Sequence, residues 1–217
     1  MFPPTLSVAA VLAATTNFIS AAVAQNTPAI VVPVAPTYNV PFGIEAAGKD
    51  LGAAPIQLTA SGGRIYIGGK QDPPTNCSSP QTVHDFATFV WHSDKTLWLY
   101  TQDPLHTQQV WAMSPDGLTG YATAKEQRPD DGLTPFEIDS NTRVVTFKGV
   151  GAKACPTDST KPGQYGVWFS NAEKPGNLNG CVSVDLKAYK AEARDACTYS
   201  HLPSCDEAPK SCGGMMV

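Results

Sequence analysis

The chain has 217 residues, 42% of them hydrophobic, with 15 basic and 19 acidic side chains and a formal net charge of −4. Ordinary apolar content with so small a net charge excludes a disordered, highly charged chain, and a sequence pI near 5.5 offers no cationic field to hold nucleic-acid phosphates. The length fits one domain with a proper core, and 18 glycines with 19 prolines favour short strands joined by turns over long helices.

No charged side chain precedes Glu45, and residues 6–24 are almost all apolar or small. Ala22-Val23-Ala24 has the small-x-small pattern of a signal-peptidase site, so residues 1–24 are expected to be a secretory signal with the mature chain starting at Gln25. A membrane anchor fits less well, because Thr15, Thr16, Asn17 and Ser20 interrupt the run and no basic cluster follows it. After cleavage no membrane contact is expected. Residues 25–41, with four prolines and no charge, read as an extended leader.

From Phe42 onward short apolar runs alternate with turn signals, and the β domain is expected to span residues 42–200. Residues 56–60 and 64–68 alternate on either side of Ser61-Gly62-Gly63, which is a hairpin signature. A proline-rich loop over 72–80 holds Asn76-Cys77-Ser78, the sequon that makes Asn76 a candidate glycan site. Residues 86–91 and 96–100 form the strongest strand pair, broken by the polar His92-Ser93-Asp94-Lys95; residues 108–113 follow, closed by Ser114-Pro115-Asp116-Gly117. Residues 136–138 and 143–148 flank a further polar turn, and 165–169 reads as strand. Residues 181–187 alternate cleanly, with Val182, Val184 and Leu186 on the inner side; 188–196 continues that strand or makes a short helical turn. The sum is an all-β, single antiparallel sandwich or barrel of about nine or ten short strands.

Six cysteines (Cys77, Cys155, Cys181, Cys197, Cys205 and Cys212) match an exported protein, and an even count there reads as three disulfides of open connectivity. Zinc is disfavoured by the lack of any C-x2-C pair and by His201 having no partner at ligand spacing. Cys205 and Cys212 lie in a tail over residues 201–217. Catalytic motifs are missing: there is no G-x-S-x-G elbow and no H-E-x-x-H, and Gly62 to Lys70 fails the phosphate-loop spacing at Arg64 and Gln71. His84, His92, His106 and His201 fall in turns or loops, and Asp130-Asp131 sits in a turn of its own. Neither a catalytic centre nor a cofactor or metal site is expected. If Ser93-Asp94 is the hairpin tip, Phe89, Trp91, Trp98 and Tyr100 share one face, and Trp91 and Trp98 become candidates for stacking on sugar rings; burial in the core is the competing expectation.

Several of these segments, in order, resemble the fungal cell-wall PhiA (phialide protein) family. They are Phe42-Gly43-Ile44, Ala54-Pro55-Ile56-Gln57-Leu58, Ile65-Tyr66-Ile67, Thr88-Phe89-Val90-Trp91, Leu97-Trp98-Leu99-Tyr100-Thr101 and Gly120-Tyr121. The likeness is strongest in Val145-Thr146-Phe147, Ala154-Cys155-Pro156, Tyr165-Gly166-Val167-Trp168, Gly180-Cys181-Val182 and Cys197-Thr198-Tyr199-Ser200. The resemblance implies a secreted wall protein linked to asexual development, with allergens among its relatives and no enzymatic residues to carry over. It also implies that Cys77, Cys155, Cys181 and Cys197 occupy family cysteine positions and that Asn76 lies in a sequon-bearing neighbourhood. The proline-rich leader and the tail with Cys205 and Cys212 depart from that pattern. The expected partners are wall polysaccharide or wall proteins. A carbohydrate-binding or carbohydrate-active protein and a secreted effector or inhibitor are the alternatives.

Overall fold

The computed structural model describes residues 36–71, 85–101, 108–113, 116–123, 132–157, 163–191 and 196–200. The expected signal peptide, most of the leader, Asn76, Cys77, His84, His106, the Asp130-Asp131 pair and the tail with His201, Cys205 and Cys212 lie outside the described residues.

Alternating apolar and polar positions, cut by glycine and polar turns, leave the chain one economical solution: short strands with one buried face. In chain order these are β1 (Phe42–Ala47), β2 (Ile56–Ser61), β3 (Arg64–Ile67), β4 (Thr88–Trp91), β5 (Leu97–Leu99) and β6 (Gln108–Met113). They continue as β7 (Leu118–Thr123), β8 (Phe136–Ile138), β9 (Val145–Phe147), β10 (Ala152–Pro156), β11 (Tyr165–Phe169) and β12 (Val182–Tyr189). Described helical structure amounts to single turns such as Pro175–Asn177. Among the described residues no helix is long and apolar enough to cross a membrane.

Ten strands make one antiparallel sheet in the order β10-β12-β1-β2-β3-β11-β7-β6-β5-β4, which closes on itself through β10–β11 and β1–β4. Of the two architectures expected from the sequence, the chain is therefore the barrel. Strand β1 makes the closure possible. One edge pairs with β12 from Gly43 to Ala47, while the other is divided, Phe42 and Gly43 pairing with β4 and Glu45 and Ala46 with β2. Gly43 sits where the Tyr189 ring crosses β1, and a Cβ there would fall 2.3 Å from that ring, so a larger residue would have to push the ring aside. The β2–β3 turn forms as expected, with Gly62 and Gly63 both at positive φ (53° and 76°) between the paired Ser61 and Arg64. β12 extends to Tyr189 instead of turning helical, with Val184 and Leu186 buried and Val182 packed partly against the core.

The barrel interior is filled by side chains. Small residues (Ala46, Ala60, Ala112, Ala154) alternate with large ones (Phe42, Ile44, Leu58, Phe89), which lets opposite walls interdigitate. The β8–β9 hairpin adds to this interior: Phe136, 0% exposed, meets Phe147 and Phe169 at centroid separations of 4.8 and 5.8 Å. The hairpin is tied down by Phe136 N donating to Lys95 O and by Ala188 N donating to Arg143 O. Among the described residues a void of about 10 Å³ lies within the core, close to the least that one water needs.

Residues 196–200 strap the open side between the β2–β3 turn and β4–β7. Gln108, wholly buried, donates from Nε2 to Tyr199 O at 2.8 Å and accepts from Tyr199 N at 2.9 Å, so an amide side chain stands in for a strand neighbour. Thr88 N donates to the Tyr199 hydroxyl, Gly63 N to Ser200 O, and the Tyr121 hydroxyl also to Ser200 O. Cys155 and Cys181 form a disulfide beside the Ala154–Val182 pair, joining β10 to the start of β12 across a sequence separation of 26. Cys197, in the strap, is also disulfide-bonded.

Replacing both Cys155 and Cys181 by Ala is expected to lower unfolding free energy by about 3 kcal/mol, through freedom regained by the unfolded chain. Denaturant titration of the two proteins measures this, and an unchanged midpoint would contradict it.

Candidate functional site

The aromatic pair singled out in the sequence is separated by the fold. β4 and β5 pair Phe89 with Leu99, Val90 with Trp98 and Trp91 with Leu97, so the turn spans five residues, 92–96, and not four. That one-residue change sends Trp91 and Trp98 to opposite faces, correcting the expectation of a shared one. The turn holds the extra residue because Lys95 adopts a left-handed φ of 64° while Asp94 Oδ1 accepts from Thr96 N and Thr96 Oγ1. Trp91 lies with Phe89, Leu97 and Leu99 on the inner side, its indole N–H donating to Phe136 O at 2.9 Å and its ring 4.4 Å from that of Tyr38. Trp98 faces outward, half-buried, donating to Thr96 Oγ1 at 2.8 Å with His92 beside it. The two rings therefore form no joint platform.

What the fold does assemble is a polar groove of about 450 Å³ on the outside of the barrel, where β1 ends, β10 begins, and β11 ends beside the middle of β12. Its lining includes Gly48, Gly151, Lys153, Ser170, Ser183 and Asp185. Register explains the gathering. Lys153 pairs with Ser183 and Ala152 with Val184 across β10–β12, while Ala47 pairs with Asp185 across β1–β12. Because side chains alternate along β12, burying Val184 and Leu186 turns Ser183 and Asp185 outward. Gly48 brings the backbone of β1 close to β12; a Cβ there would stand 3.2 Å from Ser183 O. Gly151 is different, since a Cβ there would meet nothing within 4 Å. Ser170 Oγ accepts from Ala172 N at 3.2 Å, which leaves its hydroxyl hydrogen able to donate. Asp185 Oδ2 stands 3.8 Å from Lys187 Nζ in an exposed pair that contributes little to stability. The sequence reading missed this groove. Its residues come from segments more than a hundred positions apart, and only the polar alternation of β12 hinted at one wall.

Displaced acidities elsewhere have local causes. Hydrogen bonds from Thr96, first from its side chain, hold the Asp94 carboxyl below its ordinary value of 3.8. Those from Thr142, first from its backbone, do the same for Asp139 in the β8–β9 turn. Burial, with the Glu45 carboxylate adding to it, pushes the Tyr189 hydroxyl up to about 12. Burial also lowers the Arg64 guanidinium, which lies 5.5 Å over the Trp111 ring. Among the described residues no three His, Cys, Asp or Glu side chains gather as metal ligands would.

By its fold the chain is an all-β protein built on a closed antiparallel barrel. A family model described as PhiA-like secreted protein matches residues 42–200, and the chain belongs to that family. No curated protein and no solved structure matches it.

Trp91→Ala is expected to cost about 3 kcal/mol, from the lost core contact and the orphaned Phe136 carbonyl, whereas Trp98→Ala is expected to cost about 1 kcal/mol or less. Urea unfolding of both variants tests the contrast, which equal losses would contradict. Asp94 and Asp139 have folded-state pKa values below their unfolded value of 3.8, so the stability they contribute is fully present above that pH and is lost as pH falls through the lower, folded values. A pH series of unfolding midpoints should accordingly decline below that value, and less steeply for Asp139→Asn.

Proposed function

We propose that the protein is a secreted, non-enzymatic fungal cell-wall-associated protein that acts by surface contact, in asexual development or in surface interaction. The observation that carries this reading is the contrast between interior and exterior. Among the described residues the void lined by the core side chains is about 10 Å³, too small for a substrate, which supports contact with a partner from outside. Membership of a family of secreted proteins supports action beyond the cell. The disulfides suit a protein exposed to proteases there, since each restricts the unfolded chain. The displaced carboxyls, Asp94 and Asp139, are accounted for by hydrogen bonds within their own turns, which supports a structural role for both.

The full secreted protein incubated with insoluble chitin, β-glucan and cellulose is expected to be retained on at least one of them without releasing soluble sugar. Soluble oligosaccharide accumulating over time would overturn the non-enzymatic part of the proposal. Failure to be retained on any of the three, with capture by a purified wall protein instead, would move the contact from polysaccharide to protein.

A further inference from the structure

We infer that the groove between β1, β10, β11 and β12 is a binding site for a segment of neutral, hydroxyl-rich glycan chain, an assignment that rests on the wall-contact reading and gives it a location. Its volume, about 450 Å³, lies within the range of about 300–1,000 Å³ in which small-molecule sites fall. It is an external groove and not a cavity, so an extended chain can lie in it without an end having to enter.

The chemistry of the walls selects the ligand. Lys153 and the Ser170 hydroxyl supply donors, the Asp185 carboxylate supplies acceptors, and the Ser183 hydroxyl serves as either. A sugar hydroxyl also donates and accepts, so a run of them can satisfy both kinds of wall group at once. A polyanion would bring like charge against Asp185, and a polycation would do so against Lys153. Neutral glycan meets neither penalty. Among the described residues no tryptophan, tyrosine or phenylalanine lines the groove, so affinity for one short segment rests on hydrogen bonds and is modest.

Gly151 gives access to a direct test. With open space around its would-be Cβ and no positive φ to strain a side chain, Gly151→Trp fills the groove without touching the barrel core. The probes are the soluble hexasaccharides of β-1,3-glucan, chitin and cellulose, with polygalacturonate as the anionic comparison, titrated into the disulfide-intact protein while backbone amide shifts are followed. Saturable binding of a neutral probe is expected, with shifts centred on Gly48, Gly151, Lys153 and Asp185. Gly151→Trp is expected to weaken it by at least about tenfold, equivalent to about 1.4 kcal/mol, with an unchanged thermal midpoint. Asp185→Arg, at an exposed position, is the second variant and should weaken it similarly should Gly151→Trp fail to fold. Binding that survives both variants, or shifts centred elsewhere, would overturn the groove while leaving the wall-contact reading intact. Tighter binding of polygalacturonate than of every neutral probe would overturn the ligand class. Wild-type protein that is retained on insoluble wall polymer yet gives no response to any soluble probe would also overturn the groove assignment; wild-type protein captured neither by wall polymer nor by a purified wall protein would overturn the underlying reading.

Discussion

The divided edge of β1 is the constraint on which the architecture depends. A strand with two edges ordinarily has two neighbours; β1 has three, because its first residues pair with β4 and its later ones with β2 while β12 occupies the opposite edge. That arrangement needs a tight bend in the sheet and close approach of layers, and the composition of β1 meets both needs. Gly43 lets the Tyr189 ring lie against the backbone, and Ala46 leaves space for the large interior side chains of facing strands. Closure removes the open sheet edges that would otherwise invite pairing with other chains. It also commits the interior to packing.

A closed sheet of short strands still has to hold its walls together where the pairing is interrupted, and here the strap over residues 196–200 matters. Burying the Gln108 amide would cost about 1–3 kcal/mol were its donor and acceptor left without partners. Both are satisfied by the backbone of Tyr199, whose hydroxyl in turn receives the Thr88 amide. One polar side chain thus joins β6 to a distant segment, and Tyr199 joins that segment to β4. The Cys155–Cys181 disulfide performs a comparable task at the opposite wall, between β10 and β12. The outcome is a set of covalent and hydrogen-bonded ties between strands that are distant in sequence. The groove gains from this directly, since Lys153, Ser183 and Asp185 all project from paired strands.

Much of the barrel is legible in the chain because period-two alternation is a direct consequence of having one wet and one dry face. It is plain in Ile56–Ser61, Arg64–Ile67 and Val182–Tyr189, where branched or aromatic residues mark the strand. β1, β7 and β10 are harder to see. Their sequences, FGIEAA, LTGYAT and AKACP, are rich in glycine and alanine, and those residues contribute little hydrophobic signal. The orientation of Trp91 and Trp98 hung on a single residue of turn length, and Lys95 occupies the left-handed position where glycine is the usual marker.

By itself the sequence determined the all-strand class, the antiparallel hairpins, the use of Cys155 and Cys181 in disulfides though not their pairing, and the family, because each follows from local periodicity, cysteine content or an ordered set of short patterns. Tertiary structure alone decided that the sheet closes as a barrel, that the two tryptophans part company, and that a polar groove forms from residues as distant as Gly48 and Asp185. The physical reason is that register and closure are properties of pairs of strands. A chain read one residue at a time carries the alternation of each strand, but the neighbour it meets is settled by how the whole interior packs.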